Sequence, residues 1–170
     1  KNTQPYNLFT MWDMSENDHT KLLLSLLRFK QGKEYALINS FMKRFANADI
    51  QITQNNLIDI YYNRKYVYYQ NKTNNSFIDG LILYKDNDDT RHAIIIENKI
   101  KDAPDQPDQV RRYIYHMQVN EKIDLDNIWV FYIASDGSKS IDEKSYNPSN
   151  DDKELSLKKD KQSQPEPKKC

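Results

Sequence analysis

Glycine and cysteine are nearly absent from this chain. Only Gly32, Gly80 and Gly137 occur, too few and too scattered for a phosphate-cradling loop, so a P-loop NTPase is excluded. No Gly-x-Ser-x-Gly elbow or Cys/His pair supports acyl transfer. The lone Cys170 leaves neither a disulfide framework nor a cysteine-based zinc site, and a reducing cytoplasm is the expected home. No apolar run is long enough to cross a membrane and no signal peptide is visible, while the opening Lys1 and polar end are expected of a piece of something longer. Net charge is missing too. The 25 Lys and Arg balance 25 Asp and Glu, so a nucleic-acid partner has to be met by a local basic patch.

What the chain does have is length for one domain with a real core, 170 residues, and one stretch on which the rest depends. Ile94, Ile95 and Ile96 run directly into Glu97, Asn98 and Lys99. Alternation on a strand puts Ala93, Ile95, Glu97 and Lys99 on one face and Ile94, Ile96, Asn98 and Ile100 on the other. Apolar residues on both faces predict a central strand, where a bare carboxylate needs compensation from Lys99, a metal, or both. Upstream, 77–84 reads as a second strand, with Phe77, Asp79, Leu81 and Leu83 on one face and Ile78, Gly80, Ile82 and Tyr84 on the other. Asp79 interrupts its apolar face, and Gly80 predicts a bulge or a close backbone approach. The polar turn from Asp86 to Asp89 joins the two strands as a hairpin, so one acid from each meets at one place.

Two converging carboxylates make a hard-oxygen site suited to Mg2+ or Mn2+. A lysine two residues beyond the second acid can orient or deprotonate an attacking water, or offset charge building on a phosphate. A glycosidase also uses two carboxylates, but Lys99 would then have no part.

Ile78-Asp79 followed by Glu97-Asn98-Lys99, with 18 positions between the acids, resembles the motif of the PD-(D/E)xK nuclease superfamily, Ile78 standing where the motif has proline. The resemblance spans roughly 16–134 and points to a poorly characterised bacterial branch with members that look like parts of restriction or anti-phage systems. It implies a Mg2+-dependent endonuclease acting on DNA, with Mn2+ as a substitute. Asp79, Glu97 and Lys99 would be catalytic, and the backbone carbonyl of Asn98 a further metal ligand. Many such nucleases dimerise to cut both strands, so a homodimer or partner subunit is in view. The competing reading is a catalytically inactive module of the same fold that binds nucleic acid or a protein within a larger assembly.

The remaining elements fit that order. Residues 1–14 carry scattered apolar side chains expected to tuck onto the domain. Ser15 reads as the N-cap of a leucine-rich helix running to about Phe29 and stopped by Gly32. A second helix, about 34–48, repeats Leu37, Ile38, Phe41, Met42 and Phe45 on one side, making a helical hairpin. Glu16 and His19 share a face near the positive end of the first helix. The plain reading gives Glu16 to the helix dipole and leaves His19 solvated; the resemblance adds Glu16 to the metal shell and His19 to the substrate side. Residues 49–63 are ambiguous between helix and strand, and 66–70 reads as the first strand. Bases and aromatics interleave over 61–69, which suits phosphate contacts and stacking but more commonly marks an edge strand with surface charges, the reading favoured here.

After a linker over 102–107, Pro107 is placed for the first turn of a helix reaching about Asn120, with Val110, Tyr113, Ile114 and Met117 as its buried stripe. Gln109 and Tyr113 share a face. They are similar to the Gln-x-x-x-Tyr pair of RecB-like members, which implies substrate positioning; otherwise Tyr113 is core and Gln109 incidental. Arg111, Arg112 and His116 give the helix a basic side, with Arg112 a substrate contact. Residues 128–134 read as a further buried strand. The sum is an α/β fold: a restriction-endonuclease-like αβββαβ core whose central mixed sheet is flanked by helices, with an N-terminal helical hairpin. The nuclease-like domain is expected over 1–144, and a polar, solvated tail over 145–170.

Overall fold

The computed structural model describes residues 15–66, 76–99, 108–134 and 145. The expected N-terminal packing of 1–14, the strand residues 67–70, the linker with Pro107, and all of the expected tail except Ser145 lie outside the described residues. The elements are α1 (Glu16–Leu27), α2 (Ala36–Ala46), β1 (Leu57–Tyr66), β2 (Ser76–Lys85), β3 (Arg91–Lys99), α3 (Gln109–Val119), a short 3-10 turn (Leu125–Asn127) and β4 (Ile128–Ala134). One sheet has the order β1-β2-β3-β4, antiparallel across the first three strands and parallel between β3 and β4. This is the expected αβββαβ order on a mixed sheet. Among the described residues, no helix is long and apolar enough to cross a membrane.

Helix α1 begins where the sequence predicts. The Ser15 hydroxyl accepts from the Asp18 N–H, and the Asp18 carboxylate accepts in return from the Ser15 N–H, a capping box contributing about 1 kcal/mol. It ends two residues early, because Phe29 N–H reaches back only to the Leu26 carbonyl at 2.9 Å, tightening the last turn, while the Arg28 guanidinium crosses to the Ile60 carbonyl. Gly32, at φ 64°, serves the turn between Gln31 and Glu34 and does not terminate the helix. Helix α2 ends at Asn47, whose left-handed φ of 51° does the work of a C-terminal glycine.

The isoleucine run behaves as a doubly covered strand should. Ile94 and Ile96 pack with Leu24, Leu27, Ile38 and Met42 under the helical hairpin, whereas Ile95 packs with Tyr113, Met117 and Leu81 under α3. Each buried isoleucine contributes about 2 kcal/mol relative to exposure.

Further expectations are corrected. The first strand starts at Leu57, inside the ambiguous stretch, because an edge strand of mixed burial shows no clean alternation. Its register runs from Tyr62 opposite Gly80 to Arg64 opposite Ile78, with Asn63 between them at φ 48°. Side chains change faces there, so Ile78 joins Leu81 and Leu83 under α3 and does not follow Ile82 and Tyr84. Strand β4 is half-buried at the other sheet edge rather than buried. On α3, His116 turns inward against Tyr66, ring centroids 5.9 Å apart, so it is not part of a basic outer side, and Ile114 is only half-buried.

Candidate active site

Beyond Gly80 and Ile96, the last paired positions of β2 and β3, a side chain takes over the ladder. The Asn98 N–H donates to Asp79 Oδ2 at 3.1 Å, so the carboxylate is fixed against the backbone of the neighbouring strand. Gly80 makes the close approach that the sequence suggests. A Cβ there would lie 3.2 Å from Ile96 Cβ and 3.3 Å from Leu24 Cδ2, so glycine lets α1 lie flat on the sheet at this point.

Glu97 and Lys99 project together on the α3 side, as alternation requires. Glu97 is 1 % exposed and Lys99 7 %, with Lys99 Nζ 2.7 Å from Glu97 Oε1. The other carboxylate oxygen, Oε2, accepts from the Tyr113 hydroxyl at 2.9 Å; the same hydroxyl lies 3.1 Å from the Phe77 carbonyl and accepts from Gln109 Nε2 at 2.8 Å. Gln109, Tyr113 and Glu97 thus form one buried relay from α3 into β3. The spacing of Gln109 and Tyr113 is legible in the sequence, but their shared target is not. Both are buried, and the hydrogen bonds from Gln109 to Tyr113 and from Tyr113 to Glu97 tie the pair to the β3 acid.

Asn98 points to the opposite face. Its Nδ2 donates to the Glu16 carbonyl and to Thr20 Oγ1, each at 3.2 Å, while Thr20 Oγ1 donates to the Glu16 carbonyl at 3.0 Å. This latch holds the first turn of α1 over the end of β3. Thr20 is a residue to which sequence reasoning gave no role; a threonine four positions after Glu16, just ahead of the leucine run, was its signal, and the structure buries it. Glu16 is brought to the site, its negative charge acting on both Asp79 and Lys99. His19 lies half-buried between Asp18 and Thr20, outside the latch, and Arg112 is half-buried in the first turn of α3.

The electrostatics follow from this crowding. Burial, reinforced by the charge of Asp79, pushes Glu97 up to about 7, against the hydrogen bonds from Lys99 and Tyr113. Burial and the Glu16 charge raise Asp79, opposed by the Asn98 N–H and Lys99. Burial pulls Lys99 down, but its hydrogen bond and charge interaction with Glu97, with Glu16 and Asp79 behind, hold it above the ordinary lysine value. Lys99 is therefore an ammonium at neutral pH. Burial and Glu97 raise Tyr113 far above its usual range, so its hydroxyl stays protonated.

A family model described as PD-(D/E)XK nuclease superfamily matches residues 6–164. The chain belongs to that superfamily. No curated protein and no solved structure matches it. Membership of the PD-(D/E)XK superfamily supports a nuclease-type, hydrolytic function with nucleic acid as the class of substrate, and its nucleases typically use divalent metals. Among the described residues, no three His, Cys, Asp or Glu side chains gather into a metal-binding group. The donors that do converge still fit such an ion. They are hard carboxylate oxygens whose repulsion shows in the raised Glu97, and Mg2+ commonly takes one or two carboxylates, completing its shell with water and phosphate oxygens.

Proposed function

We propose that this PD-(D/E)XK protein is a Mg2+-dependent endonuclease that hydrolyses phosphodiester bonds in DNA, with Mn2+ able to substitute, serving a bacterial restriction or anti-phage system in the cytoplasm. The observation that carries this reading is the pair of acids at one opened strand end. A buried Glu97 raised to about 7 by burial and Asp79 is a cost to the fold that a bound cation removes. When bound, the divalent ion would polarise the phosphate and lower the pKa of a water.

Asp79 and Glu97 would hold the ion, with the Asn98 carbonyl and Glu16 as further ligands. Tyr113 and Gln109 keep the Glu97 carboxylate in one orientation from behind. Lys99, already cationic, donates to the attacking water or to a phosphate oxygen and offsets the charge that builds as the water oxygen bonds to phosphorus and the ester bond breaks. Its protonation makes it a charge stabiliser in preference to a base. Arg112 and, on α1, His19 are the candidate substrate contacts.

The test is calorimetric titration of Mg2+ and Mn2+ into the wild-type chain and Glu97→Gln, followed by incubation of both with supercoiled plasmid. Metal binding lost in the variant, and nicking by the wild type alone, are the expected results. A wild type that neither binds metal nor nicks plasmid would instead support the inactive nucleic-acid- or protein-binding module.

A further inference from the structure

An aromatic ring stands open near the strand end that carries the acids, on the sheet face opposite to Glu97 and Lys99. Phe77, two residues before Asp79 on β2, is 42 % exposed. Ile78 is buried under α3, so alternation turns Phe77 away from that core. Its backbone is nevertheless fixed, because the Phe77 carbonyl lies 3.1 Å from the Tyr113 hydroxyl that also holds Glu97. Directly across the sheet, Phe77 pairs with Lys65 of β1, which is exposed and forms no ion pair among the described residues. Cross-strand partners of this kind have Cβ atoms about 5 Å apart.

The neighbouring groups are otherwise engaged. Arg64 lies over the Tyr61 ring at 4.3 Å and 3.9 Å from Glu121, and Tyr66 is buried against Tyr113. Phe29 is more exposed than Phe77, but it follows the end of α1 opposite to the Asn98 latch, roughly 20 Å along the helix.

We infer that Phe77 and Lys65 receive an unpaired nucleotide next to the scissile phosphate, so that the site takes single-stranded or locally opened nucleic acid. This rests on the nuclease reading above. Phe77 has no hydrogen-bonding group and offers only a face or an edge. A base stacked within a duplex has both faces covered, whereas an unpaired base can lie on the ring, and such stacking is tolerant of sequence. Lys65, a point charge on a flexible stem, meets a phosphate of the same strand.

The experiment uses fluorescence anisotropy with labelled single-stranded and duplex oligonucleotides of one sequence, in Ca2+ to hold the acids neutralised, together with Mn2+-supported cleavage of both. The wild type should prefer the single strand. Phe77→Ala should weaken single-strand binding about tenfold and reduce the preference, and Phe77→Trp should restore it. Lys65→Gln should lower the slope of log affinity against log salt by about one. An unchanged preference in Phe77→Ala, with cleavage retained, overturns this inference and spares the nuclease reading. A change of oligomeric state in Phe77→Ala, read by light scattering, with the preference unchanged makes Phe77 a protein contact and also overturns it. A wild type that neither binds nor cleaves either oligonucleotide overturns both.

Discussion

The two ends of the β2–β3 hairpin each carry an aspartate, and the two are treated in opposite ways. At the turn, Asp86 Oδ1 accepts from the Asp88 and Thr90 N–H groups, each at 2.9 Å, and Oδ2 lies 3.0 Å from His92 Nε2. His92 stacks on Tyr84, 4.9 Å between centroids, and its hydrogen bond leads the causes that hold Asp86 below the ordinary carboxylate range. At the open end, Asp79 has one backbone donor among the described residues, is half-buried, faces the charge of Glu16, and is raised. A closed strand end supplies its acid with donors. An opened one sets three acids, Asp79, Glu97 and Glu16, against the single ammonium of Lys99 among the described residues, an excess of negative charge.

Removing Lys99 should give the largest difference between the ends. Lys99→Ala is expected to lower cleavage by about 100-fold or more while leaving Mg2+ affinity largely intact, measured by plasmid nicking and calorimetry. Glu97, already near 7, takes up a proton when its cation is lost, so the variant still folds. Lys85→Ala at the other end removes a 2.7 Å pair with the exposed Asp89 and should change neither cleavage nor, measurably, stability. Retained cleavage in Lys99→Ala would remove the lysine from the mechanism.

A smaller effect is expected from the tyrosines. Tyr113→Phe strips Glu97 Oε2 of its donor and leaves the buried Gln109 amide without its acceptor. Metal affinity should fall by roughly 10- to 100-fold, at a stability cost of about 1–3 kcal/mol. Tyr84, raised to about 12 by burial against a hydrogen bond with Trp129, serves only the closed end. Tyr84→Phe should lower Tm and leave metal affinity alone. Equal affinities in the two variants would sever Tyr113 from the site.

Much of this contrast is legible in the sequence, and what escapes it does so for identifiable reasons. The isoleucine run ending in charge, the Ser15 cap and the hairpin turn are local signals, and Glu97 and Lys99 share a face by alternation alone. The Asn98–Thr20 latch spans 78 positions and obeys no period. The Ile78 face change coincides with a left-handed Asn63 on the partner strand, which no pattern within β2 reports. His116 reads as surface because it sits in a basic run, yet burial lowers its pKa and keeps it neutral against Tyr66. Residue types announced the chemistry, while the contacts that aim it come from chain segments distant in sequence.

The finest test of the comparison is a difference of sign. Asp79, raised above its ordinary 3.8, prefers its proton in the folded chain, so its cost is absent below that value and complete above the folded pKa. Asp86, lowered from 3.8, contributes stability above that value and loses it as pH falls through the folded pKa. At pH 7 in EDTA, Asp79→Asn should therefore raise Tm, since asparagine still offers an oxygen to the Asn98 N–H while ending the repulsion with Glu97 and Glu16. Asp86→Asn keeps an oxygen for the Asp88 and Thr90 N–H groups but loses the acceptor facing His92, and should lower Tm. Both differences should shrink toward pH 3, where each carboxyl is protonated in the unfolded chain. With saturating Mg2+ the Asp79→Asn difference should reverse, because only the wild type gains the linkage stabilisation of tight binding. A Tm for Asp79→Asn at or below wild type in EDTA would mean that Lys99 and the Asn98 N–H already compensate the buried acid, and the raised Glu97 would then be a consequence of burial alone.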